Sequence, residues 1–365
     1  MIEKLKIKMN GVPGGILFLL LFFAVLVPLS YCLRTNGDIK DIFTGFYGER
    51  KNSLDVVMIG SSPVYPYFAG PKIWEDHGIT CYPLSSNMQR PKAAIHLVEE
   101  ARKTQNPSLY IFELRMYLGP DERLTENMAY TRGVTDNMKY SWNRVKTIRA
   151  LVDENSGEER YTYYFDIFKY HSNWKTLVLP SQLATFRYET HNPLKGAVVR
   201  DEVGPSENVS FSYVTDTMAI PEDQEETLKE LIGYLKENNL NALFLVAPNT
   251  MTEEKQRQYN YIADLVEKAG FDYLNMNDYY DELGIDFQTD FADYGGHTNA
   301  FGMEKCSTFL GNYLSSAYEF TDKRGLEEYA DWDKAALLWE EKTESAKKTI
   351  RHRIETKDFM VTQEE

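Results

Sequence analysis

The sequence of 365 residues predicts an α/β protein with a central parallel β-sheet and helices on both faces. Five short apolar segments, each bounded by polar, glycine or proline residues, have the length of buried strands. They are residues 54–60, 79–85, 108–114, 241–248 and 271–276. Segments with helical spacing of polar and apolar residues lie between them, at residues 91–104, 222–238 and 253–269. Apolar strands that alternate with helices are typical of a parallel sheet covered on both sides.

The composition describes a folded, acidic protein. Hydrophobic residues make up 43% and aromatic residues 13% of the chain, which is more apolar surface than disordered proteins carry. A formal net charge of −15 would repel a phosphate backbone, so nucleic acid is excluded as a partner. The three cysteines show no CxxC or Cys/His ligand spacing, and the sequence predicts no metal site and no cofactor.

The first 34 residues differ from the rest of the chain. Residues 11–33 contain no charged side chain; three lysines precede them and Arg34 follows. At about 1.5 Å per residue this run crosses a hydrocarbon core of ~30 Å. A cleaved signal peptide is the alternative, but the long run and the bulky Tyr31 disfavour cleavage. We predict a cytoplasmic start and a single transmembrane anchor over residues 1–34, with the remaining chain outside the cell membrane because the lysines stay inside.

The strand–helix alternation is interrupted after the third strand. Residues 116–221 are rich in aromatic and charged side chains and are too long for an ordinary connection, so we predict a largely helical insertion. Trp174 within it is expected in a core, as tryptophans of aromatic-rich helical regions usually are.

The predicted extracytoplasmic domain spans residues 35–317. It closes with an amphipathic helix, whose apolar positions are Cys306, Phe309, Leu310, Tyr313, Leu314 and Ala317. The highly charged residues 318–365 are predicted to form a peripheral helical extension with a disordered end.

Two serines follow the first predicted strand. Gly60 permits a tight turn, so that Ser61 or Ser62 can project above the sheet. A serine hydroxyl becomes a nucleophile when a base takes its proton, and nearby backbone N–H groups can stabilise the resulting oxyanion. The alternative is that the serines only cap a following helix.

The C-terminal stretch around His297 supplies a candidate base. Among the six histidines, His297 combines upstream acids, two preceding glycines and an amphipathic helix that follows it. Asp293 lies four residues upstream, and the glycines allow the loop to fold so that its carboxylate orients the ring. A surface loop in which Asn299 caps the next helix is the alternative interpretation.

With these segments the chain resembles the SGNH/GDSL hydrolase superfamily, in particular its membrane-anchored bacterial branch of DltD-like and alginate O-acetylation proteins. The resemblance covers residues from about 55 to 114 and from about 240 to 314. It implies a flavodoxin-like, SGNH-type three-layer sandwich. It also implies Ser62 as the nucleophile, His297 as the base and Asp293 as its support. The family's second block corresponds to residues 84–89, which implies an oxyanion or substrate role for Ser85 and Asn87.

Two features depart from the family pattern. Asp293 is one residue further from His297 than usual, which leaves Asp290 or a backbone carbonyl as alternative supports. The asparagine that usually follows the third strand is missing, and Glu113 and Arg115 stand there instead. Either these two side chains pair with each other, or Arg115 faces an anionic substrate.

The resemblance implies an anchored serine esterase or O-acyltransferase that uses no cofactor. Its expected substrate is an acylated cell-envelope polysaccharide or teichoic-type polymer, and its expected partner is a membrane-bound acyltransferase. A catalytically silent glycan-binding or scaffolding protein is one alternative. The other is a metal-dependent phospho-transfer enzyme, with ligands from Asp290, Asp293, His297 and Glu113.

Overall fold

A computed structural model describes residues 12–153, 159–176 and 189–359. Within these residues the chain forms a five-stranded parallel sheet in the order β2-β1-β3-β4-β5. The strands are β1 (Val56–Ile59), β2 (Cys81–Pro83), β3 (Leu109–Glu113), β4 (Ala242–Val246) and β5 (Asp272–Asn275). Each lies inside a segment where the sequence predicts a strand, which confirms the α/β class and the parallel sheet.

Helices connect the strands and extend the fold at both ends. In chain order the α-helices are α1 (Val12–Leu33), α2 (Asp38–Gly48), α3 (Gly70–His77), α4 (Ala94–Ala101), α5 (Asp121–Thr125), α6 (Met128–Thr135), α7 (Trp142–Leu151), α8 (Arg160–Tyr164), α9 (Ile167–Tyr170), α10 (Glu222–Glu237), α11 (Glu253–Lys268), α12 (Tyr280–Leu283), α13 (Ala300–Ala317) and α14 (Ala330–Thr356). Short 3₁₀ turns lie at Pro91–Ala93, Arg115–Leu118, His171–Thr176, Met276–Tyr279 and Glu327–Tyr329. The helices predicted after residues 91, 222 and 253 are confirmed as α4 with its preceding turn, α10 and α11.

Two hydrophobic cores lie on opposite faces of the sheet. Successive strand side chains point to opposite faces, so Val57 and Ile59 of β1 enter one core while Val56 and Met58 enter the other. The first core contains residues of α2, α4, α10 and α11, and the second contains residues of α3 and α13. The sheet therefore has helices on both sides, and its carboxyl edge is the open end where loops meet.

The insertion at residues 116–221 is helical only in its first part. Helices α5 to α9 follow β3, whereas residues 189–221 contain neither helix nor strand. Pro193, Gly196, Gly204 and Pro205 interrupt helical hydrogen bonding along that second part, which explains the difference from the predicted helix. Residues 154–158 and 177–188 of the insertion lie outside the described residues.

Helix α1 carries the predicted anchor. By length and composition its residues Pro13–Leu33 suffice to cross a membrane. Its side chains are mostly exposed as far as Leu29, whereas Tyr31 and Leu33 are buried against the domain. The predicted cytoplasmic start lies outside the described residues, so the orientation across a membrane stays a prediction.

The charged C-terminal segment packs more deeply than its composition predicts. Helix α14 buries Trp332 and Trp339, which are 1% and 2% exposed. Trp332 lies against Trp74 of α3, with ring centroids 5.9 Å apart, and Asp333 accepts a 2.9 Å hydrogen bond from the Trp74 indole. The helix is therefore part of the domain and not peripheral, because its tryptophans share one buried face while most of its charged side chains are exposed. The predicted disordered end, residues 360–365, lies outside the described part of the chain.

Candidate active site

Ser62 lies in the turn after β1, at the carboxyl edge of the sheet. Gly60 is needed before it, because a Cβ there would lie 2.6 Å from the Cβ of Glu113 and 2.9 Å from Val64 Cγ2. Ser61 is 1% exposed, and its Oγ has no hydrogen-bond partner among the described residues. The Ser62 hydroxyl, in contrast, contacts an imidazole. The turn thus distinguishes two adjacent serines and presents only Ser62 to a base.

His297 joins Ser62 to Asp293. Its Nε2 lies 2.6 Å from Ser62 Oγ, and its Nδ1 lies 2.5 Å from Asp293 Oδ2. The other carboxylate oxygen, Oδ1, accepts a hydrogen bond from the backbone N–H of His297. The carboxylate fixes the tautomer in which Nδ1 carries the proton and Nε2 is free to accept one. An imidazole held in this way can take the proton of the serine hydroxyl.

The tight turn before His297 makes this geometry possible. Tyr294 and Gly295 both adopt left-handed backbone conformations, with φ of 53° and 88°. A Cβ on Gly295 would lie 2.1 Å from Thr250 Oγ1, so only glycine fits there without movement. The tight turn returns the imidazole to the Asp293 carboxylate. The additional residue between aspartate and histidine is therefore accommodated by the loop.

Asp290, the alternative support for His297, has other partners. It is 1% exposed, and its Oδ2 accepts 2.7 Å hydrogen bonds from Lys305 Nζ and from the backbone N–H of Asp286. Its carbonyl accepts the backbone N–H of Asn299 at 3.0 Å. Asn299 in turn caps α13, as one interpretation of the sequence predicts. Asp290 and Asn299 thus hold the loop, while Asp293 contacts the imidazole.

Arg115 holds the His297 loop in place. Its Nη1 donates a 2.6 Å hydrogen bond to the carbonyl oxygen of Gly296, and its Nη2 donates to Tyr67 OH at 3.1 Å. Tyr67 OH donates to the same Gly296 oxygen at 2.7 Å. Both Nη atoms of the guanidinium therefore contact the protein's own groups, and the predicted substrate contact of Arg115 stays a prediction. The role of Tyr67 escaped the sequence analysis, because its partner is 229 positions away in the chain and no local motif marks it.

Glu113 lies buried beside Arg115 without a guanidinium–carboxylate pair. Its Oε1 accepts the backbone N–H of Arg115 at 3.0 Å, and its Oε2 has no partner among the described residues. Burial raises the pKa of Glu113 to about 7, although the Arg115 charge opposes the shift. The predicted ionic pairing of these two side chains is thus replaced by a backbone contact.

The raised pKa makes Glu113 a cause of pH-dependent stability. The folded protein keeps this carboxyl protonated from pH 4.5 to about 7 while the unfolded chain releases the proton. The free energy of unfolding therefore falls as pH rises through this window, by on the order of 3 kcal/mol. We expect Glu113→Gln to stabilise the protein at pH 8 and to leave stability unchanged at pH 4, as measured by urea unfolding. The exposed control Glu341→Gln should leave both values unchanged; equal effects of the two variants would contradict this account.

Ser85 and Asn87, predicted as oxyanion or substrate residues, lie in the loop after β2, the strand next to β1. β2 pairs with β1 in the register Met58↔Pro83, so Ser85 and Asn87 follow a strand end adjacent to that of Ser62. In the described ranges, the backbone N–H groups of Ser62 and Ser85 donate to no protein acceptor. The exposed Asn87 is oriented by Tyr65, whose hydroxyl donates to its Oδ1. N–H donors are thus available at the two neighbouring strand ends.

The residues considered as metal ligands do not converge. Asp290 pairs with Lys305, and Glu113 contacts the backbone of Arg115. Across the described part of the chain, no group of three or more His, Cys, Asp or Glu side chains is placed to hold a metal ion. The Asp290 carboxylate therefore supports the His297 loop, and the Glu113 carboxylate binds the backbone beside the Ser62 turn.

Comparison with known proteins identifies no relative. No protein-family model, no curated protein and no solved structure matches this chain. The contacts of Ser62, His297 and Asp293 are therefore the features that indicate its chemistry.

Proposed function

We propose that this protein is an SGNH-type serine esterase or O-acyltransferase anchored in the cell membrane with its domain outside. The observation that carries the proposal is the continuous hydrogen-bonded chain from Ser62 Oγ through His297 to Asp293. Nucleophile, base and orienting acid are in contact without any rearrangement. Such a chain performs acyl transfer on several unrelated folds.

The sheet topology supports the SGNH assignment. The strand order 2-1-3-4-5 is the order of flavodoxin-like doubly wound sheets. In such sheets, ligands bind beyond the carboxyl ends of the strands, at the switch point between β1 and β3. Ser62 follows β1 and Arg115 follows β3, so the candidate site lies where this fold binds its ligands.

The first half-reaction forms an acyl-serine. Ser62 Oγ attacks the ester carbonyl while His297 Nε2 takes the hydroxyl proton, and Asp293 stabilises the charged imidazole. The backbone N–H groups of Ser62 and Ser85 bind the developing oxyanion, with the Asn87 amide at the rim. The carbon–oxygen bond to the alcohol then breaks, and His297 returns the proton to the departing oxygen.

The second half-reaction removes the acyl group from Ser62. His297 takes a proton from water or from an acceptor hydroxyl, and that oxygen attacks the acyl-serine carbonyl. Water gives hydrolysis, whereas a hydroxyl of a second molecule gives transfer. Both reactions share the acyl-enzyme and release Ser62 with its proton restored.

The anchor suggests where the substrate lies. A domain joined to a membrane-spanning helix stays near the membrane surface, where acyl esters on envelope polysaccharides or teichoic-type polymers are within reach. A membrane-bound acyltransferase that supplies or accepts the acyl group fits the same position. No metal or organic cofactor enters the steps above, since each uses side chains and backbone N–H groups.

Covalent labelling tests the proposal, and the chain offers a matched control. An organophosphonate probe reacts with an activated serine, so we expect labelling of the wild type and none of Ser62→Ala, measured by intact-protein mass spectrometry. Ser61→Ala removes the adjacent buried hydroxyl, which has no partner within the described residues, and should keep normal labelling. Labelling of Ser62→Ala at the wild-type level would refute the assignment.

A further inference from the structure

Five exposed aromatic side chains lie in the segment from α7 to the 3₁₀ turn after α9, and we call them the aromatic face. They are Trp142, Tyr161, Phe165, Phe168 and Trp174, whose exposed fractions range from 40% to 78%. Trp174 is 64% exposed, which corrects the expectation that it lies in a core. Several large exposed aromatic residues in one region mark an interaction surface.

Contacts connect the members of the aromatic face. The rings of Tyr161 and Phe168 meet edge to face, with centroids 5.6 Å apart. Trp142 and Phe165 line one cavity of about 490 Å³, together with Tyr140 and Tyr164. The exposed rings thus belong to one helical unit, α7 to α9 with the turn that follows.

The aromatic face lies beside the end of the apolar helix α1. Helix α1 packs against α9 and the 3₁₀ turn after it, the two elements that carry Phe168 and Trp174. In that turn, Asn173 Nδ2 donates a 2.9 Å hydrogen bond to the carbonyl of Leu33, the last residue of α1. Two members of the aromatic face therefore lie on elements that contact α1 near the point where this helix reaches the domain.

A buried ion pair strengthens this connection. Arg34, directly after α1, pairs with Asp166 between α8 and α9, and both side chains are at most 2% exposed. The guanidinium also lies 4.5 Å from the ring centroid of Tyr31, whose hydroxyl accepts the backbone N–H of Tyr140 at 2.8 Å. The last turn of α1 is thus fixed to the segment that carries the aromatic face.

Most exposed charges beside the aromatic face are basic. Between residues 159 and 175 the exposed charged side chains are Glu159, Arg160, Lys169 and Lys175, and the other acid of this stretch, Asp166, is buried with Arg34. The whole chain, in contrast, carries a formal net charge of −15. The stretch is therefore complementary to an anionic surface on an otherwise acidic protein.

We propose that the aromatic face is a membrane-binding surface that rests on the lipid–water interface around α1. Tryptophan and tyrosine prefer the headgroup level of a bilayer, because their rings are apolar with a polar atom at the edge. Phenylalanine adds apolar contact, and basic side chains are attracted to anionic phospholipids. This surface goes beyond the proposed enzyme function and depends only on α1 crossing the membrane.

The second attachment orients the domain. A single helix would let the domain turn relative to the bilayer, whereas α1 and the aromatic face together define a plane. The candidate site is then held at one height above the lipid. Substrates bound to the membrane surface would meet Ser62 in a defined orientation.

The test uses the full chain in nanodiscs of phosphatidylcholine and phosphatidylglycerol, with acyl chains brominated near the headgroup. Bromine quenches tryptophan emission on contact. Trp74, Trp332 and Trp339 are at most 2% exposed, so quenching reports on Trp142 and Trp174. We expect lower emission in brominated than in unbrominated discs, and loss of that difference in the double variant Trp142→Phe/Trp174→Phe.

A tryptophan placed elsewhere provides the control. Tyr213 is 72% exposed and lies next to Val214, which accepts a 2.8 Å hydrogen bond from Asn260 of α11. Helix α11 contacts β5 at one edge of the sheet. Helix α2, which follows α1 in the chain, contacts β2 at the opposite edge. Adding Tyr213→Trp to the double variant should raise tryptophan emission again, with no difference between brominated and unbrominated discs. Equal wild-type emission in both kinds of disc would overturn the proposal, as would equal quenching from position 213.

Discussion

Replacement of His297 by alanine is expected to lower the turnover of p-nitrophenyl acetate by roughly 10⁴-fold or more. His297 Nε2 is the hydrogen-bond partner of Ser62 Oγ at 2.6 Å. Without it, the hydroxyl keeps its proton and the departing alcohol loses its proton donor. Initial rates at saturating ester measure the effect, with the melting temperature as a check on folding.

His77 provides the matched control for that experiment. Its Nε2 lies 3.0 Å from Asn312 Oδ1, between α3 and α13 and away from Ser62. His77→Ala should therefore keep turnover near the wild-type value. A His297→Ala rate within tenfold of wild type would show that another group activates Ser62.

The Asp293→Asn substitution is expected to lower kcat by roughly 10²- to 10⁴-fold with little change in stability. The amide oxygen can still accept the backbone N–H of His297. The amide nitrogen then faces Nδ1 as a donor, so the imidazole carries its proton on Nε2. That tautomer donates to Ser62 Oγ and cannot accept its proton.

The Asp290→Asn variant is the control that separates loss of the Asp293–imidazole contact from loss of support for the His297 loop. The buried Asp290 carboxylate pairs with the partly exposed Lys305, and its contacts are with Lys305 and the loop, not with the imidazole. Its substitution should lower the melting temperature while the folded enzyme keeps its kcat. If Asp290→Asn lowers kcat as strongly as Asp293→Asn, the carboxylate assignment is wrong.

The sheet could be predicted because each strand carries its own signal. Continuous apolar runs between polar boundaries mark the five strands, and the structure places all of them within those runs. Local features also marked the candidate site: a strand end with glycine indicated Ser61 or Ser62, between which the family resemblance selected Ser62, and a glycine-rich loop before a helix indicated His297. The structure brings Ser62 and His297 into contact from 235 positions apart.

Other features depend on contacts that no local pattern encodes. Arg115 is predicted from the sequence either to pair with Glu113 or to face an anionic substrate, but its Nη donors meet Gly296 and Tyr67, whose positions are set by the packing of distant loops. Trp174 was expected in a core, since its sequence neighbourhood resembles buried aromatic helices. In the structure α9 and the turn after it pack onto α1, a long-range contact, while the Trp174 side chain stays exposed.

Direct identification of the residue that carries the acyl group tests the central claim most closely. The wild-type protein would be mixed with p-nitrophenyl acetate, quenched in acid within the first turnover and digested for peptide mass spectrometry. We predict an acetyl group on Ser62, and its absence from the same peptide of the His297→Ala variant. An acetyl group on another residue, or ester turnover without any acyl-protein, would contradict the account.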